Sequence, residues 1–197
     1  MLDRAARRLV DPTLDRLAAT LATRQITANT VTLIGFGFGL LAMLLVATQL
    51  YLPALVALAL NRMADGLDGA LARRSRPTDL GGYLDIVLDF IFYAGFVLAF
   101  AVAEPARGLA AAFLIFSFVG TGSSFLAFAI FAAKRGISGE DKAFRYLTGL
   151  TEGTETILLF AFLCLFPAAF DPAAWLFGTA CWLTTLGRVL TAVRELR

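Results

Sequence analysis

The stretch DGLDGALARRSRPTDLGGYLDIVLD, from Asp65 to Asp89, places four aspartates between two strongly apolar runs. The run before it reads YLPALVALAL (51–60), and the run after it reads FIFYAGFVLAF (90–100). An aspartate in the middle of a membrane helix costs about 2.5–3.5 kcal/mol of insertion free energy. Four carboxylates in such surroundings therefore require a neutralising partner or access to water.

The composition indicates a membrane protein. Of the 197 residues, 59% are hydrophobic and only 16% are charged, which is little charge for a soluble domain. Histidine is absent, and this excludes imidazole ligands, imidazole bases and phosphohistidine intermediates. The two cysteines, Cys164 and Cys181, lie in apolar runs and are expected to be buried without forming a disulfide or a metal site.

The apolar runs predict an all-α polytopic membrane protein with six transmembrane helices of about 20 residues each. The predicted spans are residues 29–49, 51–73, 81–102, 108–133, 151–166 and 172–193. The fifth is short, and its helix is expected to begin as early as Ala143. Lysine and arginine concentrate at both termini and in the loops after the second and fourth spans, whereas Arg107 is the one cation on the other side. By the positive-inside rule, both termini and the RRSRPTD loop (73–79) are expected to face the cytoplasm.

The N-terminal region precedes the first span and is amphipathic. Leucines such as Leu9, Leu14 and Leu17 recur at helical spacing among arginines and aspartates. This pattern predicts an interfacial helix within residues 1–24 that lies on the cytoplasmic membrane surface, and a solvated arm is the alternative. The region has no apolar segment ahead of its arginines, so no cleavable signal peptide is expected. We expect one membrane domain, residues 1–197, with the six-helix bundle at 29–193.

The spacing of the aspartates predicts a metal site. Asp65 and Asp68 are three residues apart and Asp85 and Asp89 are four apart, so each pair shares one face of its helix. The short loop between the two helices makes them antiparallel neighbours, which brings the pairs to a similar depth. Hard divalent cations prefer oxygen ligands, and two ions ~3.5–4 Å apart clamp a phosphoryl group for in-line displacement.

The residues beside the aspartates suit a phosphate ligand. Small residues, including Gly66 and Gly69, leave room for a polar group near the backbone, although they equally allow close helix packing. Arg73 and Arg74 lie about one turn beyond Gly69, where an arginine binds phosphate oxygens or anchors the helix end in the membrane interface.

This spacing resembles the signature of the CDP-alcohol phosphotransferases, also called CDP-alcohol phosphatidyltransferases. The signature reads D-x-x-D-G-x-x-A-R, then about eight residues, then G-x-x-x-D-x-x-x-D. In this chain only seven residues separate Arg73 from Gly81, so the loop is one residue short. The segment ITANTVTLIGFGFG (26–39) is similar to a PN-x-x-T-x-x-G segment of the family, with Ala28 in place of the proline. The whole chain also resembles a bacterial inner-membrane branch of the family that carries TEGTETI on the fifth span.

The resemblance implies a fold, a reaction and roles for particular residues. It implies a multi-pass homodimer of the cell inner membrane with a cytoplasmic active site, acting in phospholipid synthesis. The reaction is transfer of a phosphatidyl or other substituted phosphate group from a CDP-alcohol, with CDP-diacylglycerol expected, to an alcohol or phosphorylated alcohol, with release of CMP. The cofactor is Mg²⁺ or Mn²⁺, with two ions expected, and no nucleic-acid partner is expected. Metal ligands would be Asp65, Asp68, Asp85 and Asp89; Asp89 would also be the catalytic base; Gly69, Ala72, Arg73 and Gly81 would line the CDP and diphosphate site.

Further charged residues are candidates for an acceptor pocket. They are Arg62, Arg145, Glu152, Glu155 and Arg188. Glu152 and Glu155 could bind an amine head group, but they could equally pair with the arginines. Basic residues near the fourth loop could attract an anionic acceptor or could simply set the topology. The acceptor therefore stays open at this point.

Two other functions remain compatible with carboxylates in a membrane. An ion- or proton-coupled transporter also places acidic residues along its path, although neither an inverted repeat nor broken helices are visible in the sequence. A non-catalytic membrane scaffold would tolerate substitution of Asp65 and Asp85. The complete motif favours the enzyme over both.

Overall fold

The computed structural model describes residues 14–75, 77–136 and 151–196, and within them it is helical with no β-strand. The helices are α1 (residues 14–23), α2 (Ala28–Ala47), α3 (Tyr51–Arg74), α4 (Asp79–Ala103), α5 (Gly108–Lys134), α6 (Gly153–Leu165) and α7 (Phe170–Glu195). Short 3₁₀ turns at Pro105–Arg107 and Pro167–Ala169 precede α5 and α7. The predicted all-α polytopic fold is confirmed.

Within the described residues, four segments are long and apolar enough to cross a bilayer. They are Ala28–Ala47, Asp79–Ala103, Pro105–Lys134 and Pro167–Glu195. The helix α3 falls outside this set because it carries five charged residues, and α6 does so because it has only 13 residues. Six membrane crossings therefore stay a prediction. The last helix extends further than predicted, and the region proposed for an earlier start of the fifth span lies outside the described residues.

The turn between α3 and α4 is fixed by local chemistry. Ser75 ends α3 in an extended conformation, and Thr78 caps α4 by accepting a hydrogen bond from the Gly81 amide at 3.1 Å. Asp79 adds a negative charge in the first turn of α4, where the helix dipole favours it. Because the turn is so short, the residues just before it and just after it must lie close together.

The main hydrophobic core begins beside the aspartates, at Phe92, and extends toward the other end of the bundle. Phe96 stacks on Phe160 with ring centroids 4.4 Å apart, and Phe100 stacks on Phe170 at 4.8 Å. These rings join α4 to α6 and α7, and α2 packs along both α3 and α4. The aromatic core thus holds the helices in register, while the carboxylates occupy the end near the α3–α4 turn.

A smaller cluster attaches α1 to this end. Leu14 and Ala18 of α1 pack with Val31 of α2 and with Ala70 and Leu71 of α3. Residues 14–23 of the predicted N-terminal helix (1–24) are helical, and residues 1–13 lie outside the described part of the chain. The location of this helix at the membrane surface stays a prediction.

Gly35 permits a close approach of α2 to α3. A β-carbon at Gly35 would lie 2.8 Å from Cβ of Ala64, the residue before Asp65, whereas one at Gly37 would meet nothing within 4 Å. We expect Gly35→Ala to destabilise the protein by about 1–3 kcal/mol through overpacking and to lower activity by displacing the aspartates. The matched variant Gly37→Ala should be neutral. Unfolding midpoints measured in detergent at a fixed scan rate test this; equal midpoints for the two variants would contradict the close contact.

Candidate active site

The four aspartates of the motif surround one small cavity. It has a volume of about 20 Å³ and is lined by Asp65 and Asp68 of α3, Asp85 and Asp89 of α4, and residues of α2 that include Thr32. The spacing explains this arrangement, since each pair projects from one face of its helix and the turn sets the two faces opposite each other. The convergence expected from the sequence is therefore present.

A divalent cation fits the chemistry of this cavity. Carboxylate oxygens from two helices are the donors that Mg²⁺ and Mn²⁺ prefer. In the described residues, however, no three acidic side chains are close enough together to form a ready-made metal site. The four carboxylates nevertheless line the same cavity and would be the ligands of an ion bound there.

Asp68 is the most buried of the four, and its neighbour on α2 compensates for that burial. Its side chain is 7% exposed, and Thr32 Oγ1 donates a 2.6 Å hydrogen bond to its Oδ2. A buried carboxylate without a donor would carry a large desolvation penalty. Thr32 belongs to the ITANTVT segment, so this contact ties the first helix of the bundle to the motif.

Asp89 accepts hydrogen bonds on both of its oxygens. Arg62 Nη2 donates to Oδ1 at 3.0 Å, and Tyr93 Oη donates to Oδ2 at 3.0 Å. Arg62 Nη1 also forms an ion pair with Asp65 Oδ1 at 3.6 Å. Arg62, which the sequence suggested for an acceptor pocket, thus lies between two of the motif aspartates.

Tyr93 has no role in the sequence interpretation. Its position four residues after Asp89 places it on the same face of α4, and this spacing was the available signal. The spacing alone did not single out Tyr93, because it lies in an apolar run rich in phenylalanine, where an aromatic residue is expected to pack in the core.

A larger cavity of about 970 Å³ shares Thr32, Arg62 and the four aspartates with the small one. Its walls include the residues predicted to bind CDP and the diphosphate, namely Gly69, Ala72, Arg73 and Gly81. Leu14 of α1 and Gly153, Thr154, Ile157 and Leu158 of α6 line it as well. Arg73 is half-exposed and lies 3.9 Å from the Asp15 carboxylate on α1.

The packing distinguishes the two adjacent glycines of α4. A β-carbon at Gly81 would lie 3.0 Å from Asn29 Oδ1 and 3.1 Å from Thr78 Oγ1, whereas one at Gly82 would meet nothing within 4 Å. Gly81 therefore lets the first turn of α4 approach the start of α2. This is the position that the motif assigns to glycine when the aspartate spacing is kept.

The remaining acceptor candidates do not line this cavity or lie outside the described residues. Glu152 and Glu155 form a reciprocal capping box at the start of α6, in which Glu155 Oε2 accepts from the Glu152 amide at 3.1 Å. Arg188 of α7 donates to the Thr121 carbonyl at 2.8 Å and interacts electrostatically with Glu152. None of these three is among the described residues that line the large cavity, and Arg145 lies in the undescribed segment 137–150.

Comparison with known proteins identifies the family of this chain. The family model for CDP-alcohol phosphatidyltransferase matches residues 25–190, which includes both halves of the motif and the helices around them. The chain belongs to the CDP-alcohol phosphatidyltransferase family. It is therefore a transferase of phospholipid biosynthesis, and enzymes of this family generally depend on a divalent metal. This membership sets aside the transporter and scaffold alternatives.

Three relatives cover nearly the whole chain. Inner membrane protein YnjF of Escherichia coli is 51% identical, over 100% of this chain and 98% of that protein. Archaetidylinositol phosphate synthase of Pyrococcus horikoshii is 30% identical, over 93% of this chain and 92% of that protein. The crystal structure of Mycobacterium tuberculosis phosphatidylinositol phosphate synthase PgsA1 with CDP-DAG bound covers 93% of this chain and 91% of its own, with a TM-score of 0.57 and 22% identity. The last comparison shows a shared fold.

Proposed function

We propose that this chain transfers a phosphatidyl group from CDP-diacylglycerol to the hydroxyl of an alcohol and releases CMP. The observation that supports this most is that the four motif aspartates from α3 and α4 line one cavity, which merges with a larger cavity bordered by Gly69, Arg73 and Gly81. Two divalent cations, Mg²⁺ or Mn²⁺, held by Asp65, Asp68, Asp85 and Asp89, would neutralise the diphosphate and the developing charge.

The donor fits the larger cavity by size and charge. A volume of about 970 Å³ lies at the upper end of the range of roughly 300–1,000 Å³ for small-molecule sites. Arg73 projects its guanidinium into this space, and a β-carbon at Gly69 would meet only Arg73 Nη1, at 3.6 Å. The backbone of α3 is therefore accessible to the diphosphate of a CDP-alcohol beside a cationic side chain.

In the reaction, Asp89 accepts the proton of the acceptor hydroxyl. The hydroxyl oxygen forms a new bond to the phosphorus that bears the diacylglycerol group, and the bond from that phosphorus to the oxygen of the CMP phosphate breaks. CMP leaves with the electron pair of that bond. Arg73 stabilises negative charge on the diphosphate side, and Asp89 lies on the side of Tyr93, Gly153 and Thr154, where the acceptor would enter.

The same proposal covers the cellular setting. The name of the Escherichia coli relative and the apolar helices support a single domain in the bacterial inner membrane. The distribution of lysine and arginine supports cytoplasmic termini and a cytoplasmic active site. A homodimer is part of the proposal, as the family resemblance implies.

The acceptor is best sought among phosphorylated alcohols first. The Pyrococcus horikoshii relative is named as a synthase of an inositol phosphate lipid. The two carboxylates that could have held an amine group, Glu152 and Glu155, are engaged in capping α6. Both observations favour an anionic acceptor over serine or ethanolamine.

The proposal is tested with purified protein in detergent. CDP-diacylglycerol is incubated with Mg²⁺ or Mn²⁺ and with inositol phosphate, glycerol phosphate, inositol, serine or ethanolamine, and both CMP and the lipid product are quantified. We expect CMP release that requires one of these acceptors and stops on chelation with EDTA. Absence of CMP release with every acceptor, or release that is insensitive to EDTA, would contradict the proposal.

Arg73 and Arg74 provide a matched test of the donor site. Of these two arginines, Arg73 lines the large cavity and Arg74 does not; Arg74 is exposed at the end of α3. Loss of a charge-assisted hydrogen bond costs about 1.5–3 kcal/mol, so Arg73→Gln should raise the KM for CDP-diacylglycerol or lower kcat/KM by about 10- to 100-fold. Arg74→Gln should change either constant by less than about 3-fold. Equal effects of the two variants would mean that Arg73 acts only as an interfacial anchor.

A further inference from the structure

We propose that Arg62 and Tyr93 are positioning residues that hold the Asp89 carboxylate in the orientation needed to accept the proton of the acceptor. This inference rests on the function proposed above, in which Asp89 is the base. Neither residue belongs to the D-x-x-D-G-x-x-A-R…G-x-x-x-D-x-x-x-D motif. Both reach Asp89 directly, one from α3 and one from α4.

The two contacts fix the plane of the carboxylate. Arg62 donates to Oδ1 and Tyr93 donates to Oδ2, each at 3.0 Å, so rotation of the carboxylate would break both bonds. A carboxylate oxygen accepts more than one hydrogen bond, so each oxygen keeps lone-pair capacity for a cation or for the acceptor hydroxyl. The donors therefore orient Asp89 without saturating it.

Arg62 is itself held from several directions. Its Nε donates to Asn61 Oδ1 at 2.8 Å, and Asn61 Nδ2 donates to the Gly35 carbonyl of α2 at 2.8 Å. Its guanidinium lies over the Phe92 ring, 5.1 Å from the centroid. Asn61 and Phe92 are 4% and 1% exposed, so the residues that support Arg62 are buried in the interior. A chain of contacts thus runs from the backbone of α2 through α3 to the base on α4.

Tyr93 is also held in place by several contacts. Its ring packs against Phe118 and Phe160 at centroid distances of 6.5 and 6.2 Å. Its hydroxyl lies 3.4 Å from the position of a β-carbon on Gly153, the first residue of α6. Tyr93 and Gly153 both line the large cavity, so the hydrogen bond to Asp89 is made at the wall where an acceptor would reach the base.

A purely structural role makes different demands on these side chains. Charge neutralisation of Asp65 and Asp89 requires only a cation, and packing requires only an aromatic ring. Orientation of the Asp89 carboxylate requires the planar guanidinium of Arg62 and the phenol hydroxyl of Tyr93. Tyr93→Phe therefore keeps the ring and removes the hydroxyl donor, and Arg62→Lys keeps the charge and replaces the planar guanidinium by an ammonium that cannot donate in the same geometry.

The experiment is a double-mutant cycle on CMP release, using the acceptor that gives the highest rate in the panel described above. We expect Tyr93→Phe and Arg62→Lys to lower kcat by about 10- to 100-fold, with KM for CDP-diacylglycerol changed by less than about 3-fold. In the Asp89→Asn background, adding either change should cause almost no further loss, because both residues act through Asp89. Radiolabelled donor and long incubations make the residual rates measurable.

Two control variants match the chemistry elsewhere in the fold. Tyr51→Phe removes a hydroxyl from a ring that stacks on Phe100 at 5.7 Å, away from the site. Arg107→Lys changes a buried arginine that pairs with Glu104 at 2.8 Å and lies over two phenylalanine rings. Both should leave kcat within about 3-fold of wild type, and unfolding midpoints of all variants report folding separately.

The outcomes separate the inference from the function on which it rests. An unchanged kcat for Tyr93→Phe and Arg62→Lys, with Asp89→Asn inactive, would overturn the positioning role and leave the proposed function standing. The same fold-loss in the wild-type and Asp89→Asn backgrounds would also overturn it, since that result means that the residues act independently of Asp89. Full activity of Asp89→Asn, or no CMP release from the wild-type protein with any acceptor, would remove the proposed base and the inference with it.

Discussion

Replacement of Asp89 by asparagine is expected to lower kcat for CMP release by about 10²- to 10⁴-fold, the usual contribution of a general base. Asparagine preserves the size of the side chain and still accepts one hydrogen bond from Arg62 or Tyr93, but it cannot take up a proton at neutral pH. Binding of CDP-diacylglycerol should persist, because Arg73 and the small residues of α3 are untouched.

The measurement compares kcat and donor binding for wild type, Asp89→Asn and Asp79→Asn. Asp79 lies on the same helix, is exposed in its first turn and is not among the described residues that line either cavity. The same chemical change at Asp79 should leave kcat within about 3-fold of wild type. A variant at Asp89 with wild-type kcat would exclude this residue as the base.

The second large effect is expected at Asp85. Asp85→Asn removes a charge from the proposed metal site without touching the contacts of Asp89 with Arg62 and Tyr93. We expect activity at a fixed Mg²⁺ concentration to fall by about 100-fold or more, because losing a hard anionic ligand weakens cation binding. Raising the Mn²⁺ concentration should restore part of this activity.

Metal titrations distinguish the two aspartates. For Asp85→Asn, the concentration of Mn²⁺ that gives half-maximal activity should rise well above the wild-type value. For Asp89→Asn, no Mn²⁺ concentration should restore the rate, since the missing group is the proton acceptor. Identical metal curves for wild type and Asp85→Asn would argue against Asp85 as a ligand.

Helical periodicity and hydrophobicity were sufficient for much of this architecture. The i, i+3 and i, i+4 spacings placed each aspartate pair on one helix face, and the short RRSRPTD loop set those faces against each other. The apolar runs predicted both ends of α2, α3 and α4 to within a few residues. These features are local, so they can be read from neighbouring residues in the chain.

The contacts that depend on three-dimensional packing were not accessible in this way. Arg62 was a candidate for the acceptor pocket, and it lines the large cavity, but its contact with Asp89 depends on how α3 packs against α4. Tyr93 and Asn61 lie outside the motif, and the sequence around them gives no sign of their contacts. Glu152 and Glu155 suggested a binding pair, whereas their spacing also fits the capping box that they form.

The central claim is that the carboxylates of α3 and α4 bind divalent cations that hold the donor diphosphate. It is tested most directly by determining the structure of the protein with Mn²⁺ and CDP-diacylglycerol and locating manganese by anomalous scattering. The account predicts manganese peaks within ligating distance of Asp65, Asp68, Asp85 and Asp89, in contact with the diphosphate beside Arg73. Donor bound elsewhere, or bound in this cavity with no manganese at the aspartates, would contradict it.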